Sequence, residues 1–272
     1  MRDKSSDFSA RMKFYESFET ERCFLPMLPV VCRIDGRCFS SFTKGMDRPY
    51  DIRMSRAMIE TTKYLVKETH AKIGFVQSDE LSLVWKVDDY KGNIFFNGKI
   101  QKMTSVLASL ATAAFTKEVY VNLPEYAKKM PTFDCRVCQF PNDIEATNMI
   151  LWRTADATKN AVSMAARSFY PHKELQNKSG PEMQEMIFQK GMNFNNYPSA
   201  FRQGTFVRRV VEQRTLTEEE RSKYSKFGQD PDQIFERSSI KEIAMPIFSK
   251  VINRVDVVFN GADPITETQN ES

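Results

Sequence analysis

Two short apolar runs, each ending in carboxylates at a turn, constrain this chain more than any other feature. The first, Leu28 to Ile34 in LPVVCRIDGRCF, reads as a buried strand and ends in Asp35-Gly36-Arg37. The second, Gly74 to Trp85 in GFVQSDELSLVW, is broken by Ser78-Asp79-Glu80 and then resumes. Stiff strands that each deliver an acid at a turn hold carboxylates close enough to share hard cations. Mg²⁺ takes oxygen ligands in near-octahedral geometry and keeps waters and substrate phosphates in its shell. Two such ions, about 3.5–4 Å apart, activate an attacking oxygen and steady a leaving one. A lone Asp-Gly is a common turn signal; the second acidic strand end is what turns the reading toward metal chemistry.

The residues between Asp35 and Asp51 suit the substrate side of that chemistry. Gly36 permits close approach of backbone to a ligand. Consecutive amides through Ser41 suit an anion-binding nest for a triphosphate. Arg37, Lys44 and Arg48 supply cations without an uninterrupted basic run.

At 272 residues the chain is long enough to bury a core as one large domain or two small ones. A hydrophobic content of 41% and a charged content of 27% are those of an ordinary globular protein. The net charge of +4 is compatible with a phosphate-rich partner and does not establish one. Five cysteines, an odd number, argue against a disulfide framework. Cys135 and Cys138 form a C-x-x-C with no second pair, inside a segment that reads as a strand, so they are read as structural. The two histidines, His70 and His172, have no ligand-like spacing. The start lacks an apolar leader segment and no window reaches a membrane span, so a cytoplasmic protein is expected.

Residues 1–22 read as an amphipathic helix lying over the core. Then follow a strand at 28–34, a helix at 51–70 with Met54, Ala57, Met58 and Leu65 on one stripe, and paired strands at 73–77 and 81–87. The segment 99–117 has the clearest helical spacing, through Met103, Val106, Leu107, Leu110, Ala111 and Ala114, and a strand at 133–140 follows. This β-α-β-β-α-β order is the split βαβ or ferredoxin-like one. The expected fold class is therefore α+β: an antiparallel sheet with helices on one face, plus a mainly helical C-terminal extension. In that topology the first and third strands are central, which brings Asp35 and the Asp79-Glu80 turn to the same sheet end.

The division expected is a catalytic domain over 1–140 and a C-terminal region over 141–272 packed on it, with a frayed tail at 264–272. Within that region, helices are expected at 144–170 and 182–190, and a strand at 203–211 beside Arg202, Arg208 and Arg209. Residues 217–238 read as helical or loosely ordered, and 241–258 return to apolar. The polar-aromatic stretch Gly191–Pro198 suits either nucleotide stacking or plain turns.

Several segments in consistent order carry a resemblance to a known family. They are Arg33-Ile-Asp35-Gly36-Arg37-x-Phe39, Phe42-x-Lys44, Pro49-x-Asp51, Gln77-Ser78-Asp79-Glu80, Phe133-Asp134-x-Arg136-Val137 and Trp152-Arg153-x-Ala155-Asp156. Gly191-x-Asn193-Phe194-Asn195 and Arg202-x-Gly204-Thr205 continue the series. Together they resemble the tRNA-histidine guanylyltransferase family. The resemblance implies a polymerase-like palm that adds nucleotides to RNA 5′ ends in the 3′-to-5′ direction. It implies two Mg²⁺ ions per site, GTP and ATP as substrates, tRNA as partner, and a homotetramer or homodimer.

Carried over by motif, Asp35 and Asp79 resemble the metal-bridging carboxylates, with the Gly36 carbonyl as a further ligand. Glu80 resembles the adjacent acid that positions metal or phosphate. Arg37, Cys38, Phe39, Ser40 and Ser41 resemble the triphosphate cradle. Ser78, Lys44 and Asp51 fall with the nucleotide site. Arg33, Lys99, Lys102, Arg136 and Asn160 fall where the family handles the RNA 5′ end and its activation.

Two departures narrow the reading. Family guanylyltransferases carry His-Ile-Asn-Asn-Leu-Tyr-Asn where this chain reads Thr158-Lys159-Asn160-Ala161-Val162-Ser163-Met164. They carry Lys-Asn-Glu where it reads Met183-Gln184-Glu185. Both losses belong to the step that activates a 5′ monophosphate. The resemblance therefore points to the branch that repairs truncated tRNA 5′ ends against a template, with addition of one residue to tRNA-His beside it. A nucleotidyl cyclase on the same palm and a non-catalytic RNA-binding homologue stay open at this point.

Overall fold

The structure, a computed structural model, describes residues 5–218, 220–221 and 234–267. Its helices are α1 (Ser5–Thr20), α2 (Phe39–Phe42), α3 (Ile52–Thr69), α4 (Ile100–Asn122), α5 (Asp143–Arg167), α6 (His172–Leu175), α7 (Gly180–Gln189), α8 (Ser199–Gln203) and α9 (Arg254–Phe259). Its strands are β1 (Val30–Arg37), β2 (Ile73–Gln77), β3 (Glu80–Trp85), β4 (Thr132–Gln139), β5 (Thr205–Arg214) and β6 (Phe235–Ile243). They form one antiparallel sheet in the order β4-β1-β3-β2-β5-β6. The first four strands keep the expected ferredoxin-like order, with β1 and β3 side by side, and the fold is a polymerase-like palm.

Alternation along the central strands divides the core in two. Val30, Cys32 and Ile34 of β1 and Leu81, Leu83 and Trp85 of β3 face α3 and α4. Val31 and Val84 face the opposite way, toward Ala146, Ile150 and Ala157 of α5 and Phe248, Val257 and Phe259 near the C-terminus. The palm's own helices thus share one face as expected, and the extension covers the other. Gly74 shows how tightly α3 is seated. A Cβ there would lie 2.8 Å from methyls of both Thr62 and Val66.

The extension is less helical than its charge pattern implies. Both β5 and β6 continue the palm sheet past β2, with Phe206 opposite Ile243 and Arg214 opposite Phe235. The expected loose segment 217–238 therefore ends in a strand from Phe235; residues 219 and 222–233 lie outside the described residues. The apolar stretch 241–258 is the end of β6, a single 3₁₀ turn at Phe248–Lys250 and most of α9. The tail is tied back as far as Thr266. The Ile252 amide donates to the Ile265 carbonyl at 2.9 Å, and Val251 bridges to Thr266. Residues 268–272 of the expected frayed tail lie outside the described ones.

Helix α1 does not lie over the core. None of its described side chains is buried, and Phe14, Tyr15 and Phe18 are 58%, 60% and 67% exposed. The reason is visible in its spacing. At 100° per residue Arg11 and Glu19 fall among Phe8, Met12, Tyr15 and Phe18, so no clean apolar stripe exists to dock. Among the described residues no helix is long and apolar enough to cross a membrane.

Candidate active site

The ends of β1 and β3 deliver their acids to one cavity of about 810 Å³, lined by Asp35, Asp79 and Glu80 together with parts of α3 and α5. Asp35 pairs in register with Glu80 across the two strands. Ser78 and Asp79 form the two-residue turn between β2 and β3, with Gln77 opposite Glu80 and Ser78 in the left-handed region at φ 55°. The turn is fixed to β1 by the Gly36 amide, which donates to the Asp79 carbonyl at 3.0 Å. Ser78 Oγ donates to Asp79 Oδ1 at 3.1 Å.

The three acids are in different electrostatic states. Asp79 has no ion pair among the described residues, and its carboxyl is held above the usual aspartate range by burial, with Asp35 beside it raising it further. Glu80 is also raised by burial, opposed by the guanidinium of Arg153. That guanidinium donates to both Glu80 oxygens at 2.6 Å and to Asp156 Oδ2 at 2.9 Å. Arg33 sits nearby, 3.5 Å from Asp35 and 3.7 Å from Glu80, with its Nε buried and unbonded. Glu80 is therefore neutralised within the protein and Asp35 has a longer pairing with Arg33, whereas Asp79 beside it is buried without a cation among the described residues.

That pair of aspartates suits a hard cation. Among the described residues no group of three or more His, Cys, Asp or Glu side chains is placed to hold a metal. The side chains on offer to such an ion are the two carboxylates, Asp35 and Asp79. Mg²⁺ accepts such a set, because it fills its remaining positions with water and substrate phosphate.

After Asp35 the chain turns sharply. Cys38 adopts φ 58° and leads into α2, whose Phe39 ring occupies the space a side chain at Gly36 would need: a Cβ there would lie 2.4 Å from the ring. The Ser41 amide already donates to the Cys38 carbonyl at 3.0 Å. The amides of Phe39 and Ser40 open the helix and have no intrahelical acceptor. Lys129, a residue the sequence did not single out, holds this turn from behind. Its Nζ donates to the carbonyls of Ser41, Phe42 and Lys44 at 3.2, 2.8 and 3.0 Å.

Other expected site residues divide cleanly. Ser78, Phe39, Ser40, Arg33, Asp51 and Asn160 line the same cavity as Asp35 and Asp79. Asp51, however, is committed to structure. It caps α3 through the Arg53 amide at 2.9 Å and accepts from the Arg53 guanidinium, which holds its carboxyl below the usual range. Asn160 reaches Asp156 at 3.5 Å. Gly36 and Arg37 end β1, Cys38 precedes α2 and Lys44 follows it, and none of the four is in the cavity wall. Arg136 is on β4 opposite Arg33, exposed and 3.5 Å from Asp134.

Lys99 and Lys102 are remote. They begin α4 beside the Cys23–Phe24 segment, at the end of the sheet where β1 starts rather than where it delivers Asp35. Conversely, the cavity wall includes Tyr50, Trp152 and Arg167, and Arg153 beneath it. The i, i+3 spacing of Arg153 and Asp156 was the available signal that they share a helix face.

A ferredoxin-like palm that gathers two carboxylates at one strand end defines a nucleotidyl-transfer type of site. Comparison with known proteins makes this particular. A family model described as "Thg1: tRNAHis guanylyltransferase" matches residues 10–141. A probable tRNA(His) guanylyltransferase of Drosophila melanogaster is 29% identical over 217 residues, covering 74% of this chain and 73% of that one. A bacterial tRNA(His) guanylyltransferase (Thg1)-like protein solved in complex with ATP is 30% identical, with a TM-score of 0.76 over 93% of this chain and 97% of that one. Another such structure, in complex with GTP, is 29% identical with a TM-score of 0.69 over 90% and 94%. The chain belongs to the tRNA(His) guanylyltransferase family and is a nucleotidyltransferase.

Proposed function

We propose that this protein adds nucleotides to the 5′ end of tRNA in the 3′-to-5′ direction, and that it repairs truncated 5′ ends against a template. The observation that carries the chemistry is the meeting of Asp35 and Asp79 in one cavity large enough for a nucleotide. Family membership supports tRNA as the acceptor, and the ATP- and GTP-bound relatives support nucleoside triphosphates as substrates. The repair branch is favoured because α5 carries Thr158-Lys159-Asn160 where family guanylyltransferases carry the histidine motif.

In the reaction the 3′-hydroxyl of the incoming nucleotide attacks the 5′ phosphorus of the RNA, and pyrophosphate or an activating mononucleotide leaves. Asp35 and Asp79 would hold Mg²⁺, with the Gly36 carbonyl as a further ligand; when bound, the metal polarises the phosphorus and offsets developing charge. The open amides of Phe39 and Ser40 receive phosphate oxygens, and Lys129 keeps that turn in shape. Arg153 fixes Glu80 so that the Asp79 turn is presented in one geometry. Arg33 and Asn160, which line the same cavity, are the residues assigned to meet the RNA 5′ end.

Assembly into a homodimer or homotetramer belongs to the same reading, supported by the exposed aromatic side chains of α1. The function is tested by extending a 5′-truncated tRNA, triphosphorylated or monophosphorylated, with each nucleotide in turn. Templated addition to the triphosphorylated RNA, with little on the monophosphorylated one, is the expected result. Addition of a single G to intact tRNA-His alone would replace repair by guanylylation, and no addition to any RNA would refute both.

A further inference from the structure

A second cavity, of about 710 Å³, lies between the C-terminal halves of α3 and α4 and strands β5 and β6. Its charge is mixed, with basic residues in excess. Lys63, Lys67, Lys117 and Arg209 face it, against Glu60 and Glu118. Lys63 is paired with Glu60 at 2.9 Å and Glu242 at 2.7 Å, and Arg56 also reaches Glu242 at 2.8 Å, so those acids are already compensated. Lys67 and Lys117 hold no ion pair among the described residues. Arg209 has only hydroxyl and carbonyl partners, Ser238 Oγ at 3.1 Å and the Lys67 carbonyl at 3.5 Å.

The remaining wall suits a nucleoside rather than a bare anion. Tyr64, 40% exposed, offers an aromatic face, and Ala113 and Ala114 keep the α4 side shallow where larger side chains would fill the space. Ser239, in the same wall, has its Oγ buried with no hydrogen-bond partner among the described residues. An aromatic ring, an unsatisfied hydroxyl and three cations that outnumber the one unpaired acid, Glu118, around one concavity are the complement of a nucleoside phosphate. A single-stranded RNA takes a long basic groove with several aromatics for successive bases, whereas Tyr64 is the one aromatic among the described residues lining this cavity. We propose that this cavity is a second nucleotide site, separate from the one at Asp35 and Asp79. Because the N-terminal half of α3 lines the active cavity through Met54, Met58 and Ile59, one helix borders both.

Lysine acetylation of the full chain, mapped by mass spectrometry, tests this. It is run with ATP, or with poly(U) at equal phosphate, on the wild-type protein and on Asp79→Ala. ATP is expected to lower acetylation of Lys67 and Lys117 at least fivefold in both proteins, and poly(U) to leave it unchanged. Unchanged reactivity with ATP, protection by poly(U) alone, or protection lost in Asp79→Ala would overturn the proposal. Photolabelling with 8-azido-ATP supplies a second reading. The peptide containing Tyr64 should be labelled in wild type and lose its label in Lys67→Glu/Lys117→Glu, while label in the active cavity persists as the control for folding. Label retained at Tyr64 in that variant would refute the site. Neither readout depends on turnover, so the site can fail while the proposed activity stands, and the reverse.

Discussion

Asp79 combines burial, a like-charged neighbour and the lack of a cationic partner among the described residues. Its raised carboxyl value has a consequence for stability. In the unfolded chain the group titrates in the ordinary aspartate range; in the folded protein it titrates higher. The native state therefore binds more protons through that window, and stability falls as pH rises across it. Without divalent cations, Asp79→Asn should raise the melting temperature at neutral pH, and the gain should vanish below the ordinary aspartate range. Adding Mg²⁺ should narrow the difference by stabilising wild type alone; thermal melts with EDTA and with Mg²⁺, at acid and neutral pH, check both. Arg153 makes the opposite kind of contribution. Arg153→Met leaves Glu80 part-buried without its partner and should cost on the order of 3 kcal/mol. Glu80→Gln in the same chain should recover part of that loss in denaturant melts, as expected for a coupled pair.

At the scale of elements, the palm was legible because its signals are local. Apolar runs of strand length, the stripe on α3 and the spacing on α4 are each read within about 20 residues. The convergence of Asp35 with the Asp79-Glu80 turn followed from topology alone. What escaped was set by partners distant in sequence. Phe235–Ile243, with its Glu-Arg, Ser-Ser and Lys-Glu pairs, has no clean alternation and becomes a strand because β5 offers it an edge. Glu80 meets Arg153 from 73 residues away, and Lys129 reaches a turn more than 80 residues earlier. Lys99 and Lys102 were placed near the site by motif order, but α4 starts at the other sheet end. The seating of α3 gives a test at this scale. Gly74→Ala should destabilise by about 1–3 kcal/mol through overpacking against Thr62 and Val66, read by chemical denaturation. Asp51→Ala, which removes the α3 cap, should cost roughly 1 kcal/mol.

At the scale of the molecule, one sheet of six strands carries the proposed active cavity at one end and helical layers on both faces. The exposed aromatics of α1 should matter to assembly rather than to folding. Replacing Phe14 and Phe18 by Ser should lower the oligomeric state in sedimentation with little change in the monomer's melting curve. The central claim is that Asp35 and Asp79 together make the transfer site. Its most direct measurement is the rate of Mg²⁺-dependent nucleotide addition to a triphosphorylated, 5′-truncated tRNA by Asp79→Ala, beside its affinity for the same RNA. The account predicts a loss of at least a thousandfold in rate with RNA affinity nearly unchanged; addition at the wild-type rate would contradict it.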